Sequence, residues 1–199
     1  MTHQKYEPLF APILIRRFTY AEWRFSGFYH PVCIRTHKFN DINVVFFHII
    51  SWGEKMAIVK YTSSDVDLIA RMVRAEAVGE GKQGMLYVGN VIVNRAKADC
   101  LDFRDVRTIR EVIFQVQGGN YAFEAVQKGN LFYQRARSAE KNLARKNLKY
   151  WREHPAKYAL WYFNPYGPCP QTWYGEPLTG GYKNHCYYEP AAGTCASVY

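Results

Sequence analysis

Apolar and polar positions fall into a regular order after residue 60. Leu68, Ile69, Met72 and Val73 recur at three- and four-residue spacing, the period of a helix that buries one stripe. Ser64 with Asp67 three residues later has the form of a capping box, so the pattern predicts a helix from about Asp65 to Val78. Gly79, Gly81 and Gly84 punctuate a turn. Met85, Val88, Val91, Ile92 and Arg95 then share related faces of a second helix over about Lys82 to Ala98. Thr108 predicts the cap of a short helix, Ile109 to Phe114, and Gly118-Gly119-Asn120 marks a loop. Residues 133–153 read as a polar, strongly basic helix or helix pair with a solvated face. Beyond Pro155, Ala159 to Phe163 is the best strand, and the glycines and prolines of 164–193 predict loops packed by aromatic rings. Together these predict one α+β domain, mainly helical, over 56–199, with a loop-rich aromatic C-terminal part.

Residues 1–55 differ. They carry the apolar patches Val44-Val45-Phe46-Phe47 and Ile49-Ile50 without a clean helical or strand period, and His30, His37 and His48 are scattered. The apolar run is too short and too far from Met1 for a signal peptide, and no stretch is long enough to span a membrane. Gly53-Glu54-Lys55-Met56 is encoded by a purine-rich run ending in a methionine codon, the form of a bacterial ribosome-binding site. The expectation is that Met56 is the true start and 1–55 is translated upstream sequence; the alternative is a genuine N-terminal extension.

Glu76 changes the picture from architecture to chemistry. It falls on the apolar stripe of the first helix, four residues after Met72 and seven after Ile69. Ionising a carboxylate in apolar surroundings is costly, so its pKa rises and leaves a proton for general acid catalysis near neutral pH. The competing reading is a helix-end glutamate paired with an arginine, Arg95 being nearest in sequence.

Composition narrows the partners. The net charge of +9 favours an anionic one, and nucleic acid, acidic lipid and anionic cell-wall polymer all qualify. No nucleic-acid-binding motif accompanies the charge, so that role is set aside. The late-clustered aromatics, among them Tyr158, Trp161, Tyr162, Trp173 and Tyr174, suit sugar faces, bases or a protein interface. Cys100, Cys169, Cys186 and Cys195 match no paired zinc spacing. At least one bridge is expected among Cys169, Cys186 and Cys195, with the connectivity open.

Several motifs occur in order: Arg74-Ala75-Glu76-Ala77 with Gly79-Glu80, Gly84, Val91 to Arg95, Ile113-Phe114-Gln115, Tyr121-Ala122-Phe123-Glu124-Ala125, Trp161 to Pro165, Trp173-Tyr174 and His185-Cys186-Tyr187. In these the chain resembles the SleB/CwlJ family of cell-wall hydrolases, over nearly all of the region after Met56 and none before it. The resemblance implies a lysozyme-like or lytic-transglycosylase-like fold. It also implies cleavage of the β-1,4 bond between N-acetylmuramic acid and N-acetylglucosamine in spore cortex peptidoglycan, at germination, without metal or cofactor. The family's acid maps onto Glu76.

A glycosidase usually needs two carboxylates. Glu80 is the nearest second one, but Gly79 and Gly81 flank it, so it is expected as a supporting group. A lytic transglycosylase needs only one, because the glutamate then acts as base on the sugar's own 6-hydroxyl and closes an anhydro ring. Asn94, three residues after Val91 on the second helix, suits either a contact to an acetamido group or a buried structural role. Gln115, at a family position near the cleft, and Tyr162, Phe163 and Asn164, as a cleft wall, are expected to contact substrate. His185 is placed near the cleft with a hydrogen-bonding role. The resemblance further implies a spore coat protein partner and a place at the coat–cortex boundary, reached from the mother cell without a signal peptide. Two competing classes are a coat protein that binds cortex without cutting it, and an amidase holding zinc with His154, His185 and a cysteine.

Overall fold

The computed structural model describes residues 57–149 and 151–199 and, nearer the N-terminus, the backbone of two strands. These are β1 (Cys33–Phe39) and β2 (Ile42–His48), an antiparallel hairpin with Phe39 opposite Ile42. The sequence shows no strand period there because four consecutive apolar residues, Val44 to Phe47, erase the alternation while favouring extended backbone. The rest of 1–55, and the start expected at Met56, lie outside the described residues. The chain divides into two units, Met1–Gly53 and Glu54–Tyr199; the helices and every further strand belong to the second.

Helix α1 (Ser63–Ala77) is capped by Thr62, whose hydroxyl accepts from the Asp65 N–H while the Asp65 carboxylate accepts from the Thr62 N–H at 2.8 Å. The capping box therefore lies two residues before the expected pair. Ser64 is instead hydrogen-bonded to Thr62 through its hydroxyl, and Asp67 is held by Lys141 at 2.8 Å. Val66, Ile69, Ala70, Met72, Val73 and Ala77 form the buried face. Helix α2 (Gly81–Lys97) runs through the centre, with every residue from Gly84 to Ala96 buried. Helix α6 (Ser138–Leu148) closes the bundle through Leu143, Ala144 and Leu148. Gly89 permits this approach, since a Cβ there would stand 2.3 Å from Asn147 Oδ1. The basic segment is shorter than expected, because residues 134–137 leave the helical path and a separate turn, α5 (Asn130–Tyr133), precedes them.

Between α2 and α5 lie α3 (Ile109–Ile113), capped by Thr108 as expected, a two-residue hairpin of β3 (Val116–Gln117) with β4 (Asn120–Tyr121), and α4 (Glu124–Gln127). The C-terminal part holds an antiparallel sheet in the order β5-β8-β7-β6, of β5 (Trp161–Phe163), β6 (Thr172–Trp173), β7 (Glu176–Tyr182) and β8 (His185–Tyr188). Most of this was expected to be loop. Pro177, Gly180 and Gly181 hide β7, although Tyr182 to Tyr188 pair as a hairpin. Disulfides join Cys169 to Cys186 and Cys100 to Cys195. Cys195 thus reaches back to the loop after α2.

Two faces of the sheet do different work, because neighbouring strand residues point opposite ways. Tyr162 and Tyr187 face the helices, where Tyr187 meets the Tyr87 ring of α2 edge-on at 5.6 Å. Phe163, Trp173 and Tyr188 stack on the other face. The segment leading into β5 is fixed by α2. Asn94 Nδ2 donates to the Ala159 carbonyl at 2.9 Å, and Arg95 Nε donates to the Leu160 carbonyl at 2.7 Å. No helix among the described residues is long and apolar enough to cross a membrane.

Candidate active site

The last turn of α1, the start of α4 and strand β5 converge on an open cleft of about 510 Å³. Glu76 lies in its floor. One carboxylate oxygen, Oε1, accepts from the Ala125 N–H at 2.8 Å, and the other, Oε2, accepts from the Tyr162 hydroxyl at 3.0 Å. Burial raises the Glu76 pKa above the ordinary carboxylate value, and the nearby charge of Glu124 adds to the rise. The two hydrogen bonds and the distant charge of Arg95 oppose it without cancelling it.

Arg95 is not the ion-pair partner that the helix-end reading requires, since no salt bridge joins it to Glu76 among the described residues. Its guanidinium stands 4.6 Å from the Phe123 ring centre and 5.0 Å from that of Phe103. Full burial lowers its pKa to about 10, so it remains a cation. It supplies positive potential behind the carboxylate rather than neutralising it. The Tyr162 hydroxyl is pushed well above its usual pKa, first by burial and then by Glu76, and so stays protonated.

The expected site residues separate into two sets. Glu76, Tyr162, Phe163, Asn164 and His185 all line the cleft. Asn164 Oδ1 accepts from the Tyr166 N–H at 2.8 Å and thereby shapes the rim. His185 packs edge-on against Tyr162, with ring centres 5.1 Å apart. Its Nδ1 is buried with no hydrogen-bond partner among the described residues. Burial lowers its pKa against the pull of Glu80, which favours a neutral ring.

Glu80, Asn94 and Gln115 stand elsewhere. Asn94 is wholly buried and spends its amide on the carbonyls of Ala156, Lys157 and Ala159, so it holds a loop and meets no sugar. Gln115 Nε2 donates to the Asp102 carbonyl at 2.6 Å, which directs the side chain away from the cleft. Glu80, 5% exposed, sits in a 3-10 turn (Val78–Glu80) with its Cβ over Gly84 and Oε1 near the Asn184 N–H at 3.4 Å. It faces the β7–β8 turn and does not line the cleft.

Among the lining residues that sequence reasoning left without a role are Glu124, Lys128 and Tyr166. Glu124 and Lys128, an exposed i,i+4 pair, add their charges to those of Glu76 and Arg95 in the cleft. Glu124 stands within the Tyr121 to Ala125 motif, which was the available signal. Tyr166 gave none. The four cysteines of this unit are spent in disulfides, which removes the thiolate from a zinc amidase built on His154 and His185.

A family model described as Cell Wall Hydrolase matches residues 79–188. The chain is 56% identical over 144 residues to cell wall hydrolase CwlJ of Bacillus subtilis strain 168, covering 72% of this chain and 98% of that protein. Among solved structures it resembles the catalytic domain of the Bacillus cereus SleB protein, with TM-score 0.52 and 27% identity over 66% of this chain and 96% of that one. It also resembles the catalytic domain of the germination-specific lytic transglycosylase SleB from Bacillus anthracis, with TM-score 0.51 and 25% identity over 65% and 97%.

Proposed function

We propose, for a chain that belongs to the Cell Wall Hydrolase family, that Glu76 cleaves the N-acetylmuramic acid to N-acetylglucosamine bond of spore cortex peptidoglycan during germination, acting alone as acid and then base. The observation that carries this is a half-buried carboxylate with raised pKa, opening on a cleft and held by the Ala125 N–H and the Tyr162 hydroxyl. The cleft's other carboxylate, Glu124, is exposed and paired with Lys128.

Protonated Glu76 gives its proton to the glycosidic oxygen as the bond to the muramic acid C1 breaks. Positive charge develops on the sugar ring while Glu76 becomes a carboxylate. The Tyr162 hydroxyl suits both states, because it donates to a carboxylate and, rotated, accepts from a carboxylic acid. The Glu76 carboxylate then takes the proton of the sugar's 6-hydroxyl as O6 bonds to C1, which closes an anhydro ring and restores the acid. The likeness to a lytic transglycosylase supports this intramolecular ending.

Mass analysis of fragments released from purified cortex tests the reading. Anhydro-ended muropeptides are expected from the parent and none from Glu76→Gln with unchanged circular dichroism. Reducing ends in their place would assign water as acceptor, and retained cleavage by Glu76→Gln would overturn the role of Glu76. A place at the coat–cortex boundary beside a coat protein belongs to the same proposal, and fractionation of spore layers would test it. Met56 as the start is part of the proposal and is tested by mass spectrometry of the native protein. A peptide from residues 1–50 in the native protein would refute that start.

A further inference from the structure

Four non-glycine residues among those described have left-handed backbone: Leu101, Tyr166, Tyr174 and Lys183. This costs an L-residue free energy and persists where something else requires it. Three of the four border hollows. Tyr166, φ 54°, lines the cleft of Glu76, while Leu101 and Tyr174, both at φ 50°, line a second depression of about 380 Å³. Tyr166 and Tyr174 are 93% and 90% exposed, so neither ring is held in place by a core.

Tyr174 is the sharper case. With Gly175, φ 87°, it forms the two-residue connection between β6 and β7, and Trp173 pairs with Glu176 across it. Positive φ at both central residues marks a type I′ turn, where Asn-Gly is the favoured pair. A tyrosine there opposes the local preference and presents its ring to solvent. The ring stands 5.1 Å from that of Trp173, which stacks on Phe163 at 4.7 Å, and Phe163 lines the cleft beside Tyr162. Aromatic faces thus run unbroken from the cleft to the second depression. Trp161, Asp102, Glu176 and Gln117 complete that depression. The Gln117 amide nitrogen is buried there without a hydrogen-bond partner, and such a donor is satisfied by an incoming acceptor.

We propose that this second depression, walled by Trp173 and Tyr174, is a sugar-binding site that holds an N-acetylhexosamine of the glycan strand beyond the residues placed at Glu76. The proposal rests on the glycan-cleaving reading above. Trp173 and Tyr174 offer ring faces to the apolar face of a pyranose, and the carboxylates of Asp102 and Glu176 accept from its hydroxyls. The Gln117 amide donates to its acetamido or hydroxyl oxygen. The strained turn is the device that aims the Tyr174 ring along the strand.

The test uses the full chain carrying Glu76→Gln, so that glycan is bound and not cut. Its probes are cortex fragments sized to disaccharide and octasaccharide pools, titrated by tryptophan fluorescence. The octasaccharide is expected to bind tighter than the disaccharide. Adding Tyr174→Asn is expected to weaken octasaccharide binding by roughly three- to tenfold, to leave the disaccharide unchanged, and to raise the thermal midpoint by relaxing the turn. Tyr174→Gly, which also accepts left-handed backbone, is expected to show the same loss. An octasaccharide affinity unchanged in both variants overturns the second site alone. A Glu76→Gln chain that binds neither pool overturns the glycan reading and this site with it.

Discussion

The last turn of α1 and the 3-10 turn after it each carry a glutamate, Glu76 half-buried and Glu80 buried, and only one of the two is open to chemistry. Glu76 has a donor on each oxygen and a cleft in front of it. Glu80, four residues on, is folded over Gly84 against the β7–β8 turn, with one oxygen buried and unpartnered. Glu80 is the more deeply buried of the two, so burial alone does not make a catalytic acid. The difference is a path to substrate and a donor able to serve both protonation states.

The largest test of this contrast exchanges each carboxylate for its amide. Glu76→Gln should lower the cortex-cleavage rate by about 10²- to 10⁴-fold, while Glu80→Gln, whose side chain lies outside the cleft, should retain the parent rate in the same dye-release assay. Tyr162→Phe sharpens the comparison. It removes one of the contacts that lower the Glu76 pKa, so the limb of the rate profile that requires protonated Glu76 should move to higher pH. A profile with an unmoved limb would show that the phenol does not tune the acid.

Next in size is the closed side. A Cβ at Gly84 would stand 2.1 Å from that of Glu80, so Gly84→Ala should cost about 1–3 kcal/mol of stability by urea denaturation. The smallest effect is in pH. Because the folded pKa of Glu76 is raised, its protonated form favours the fold below the ordinary carboxylate pKa. That contribution is lost as pH rises through the folded value. Glu76→Gln, which mimics the protonated acid, should therefore raise the thermal midpoint at neutral pH and leave it nearly unchanged at acid pH.

Legibility in the sequence followed the range of the interactions involved. The phase of Leu68 to Val73 placed Glu76 on a buried stripe, because helix periodicity is local. The same logic left Asn94 open between a sugar contact and a structural role. It stands on a helix buried all round, where phase cannot tell a cleft from a loop, and the carbonyls it serves lie more than sixty residues on. Gln115 failed similarly, its partner being the Asp102 backbone. The capping box slipped from Thr62 to Ser64 because both positions carry a hydroxyl with an aspartate three residues later. Strands β7 and β8 were invisible for another reason. They pair as a local hairpin with Tyr182 opposite His185, but the proline and glycines of β7 read locally as loop.

The amide of Asn94 leaves a consequence for anyone who would redesign this cleft. Asn94 holds the segment 156–159, that segment delivers β5, β5 presents Tyr162, and Tyr162 bears on the proton of Glu76. A library built for new glycans has freedom at Asn130, Asn164 and Tyr166 on the rim. Its fixed point is a wholly buried asparagine of α2 that does not line the cleft and that no docking calculation would choose.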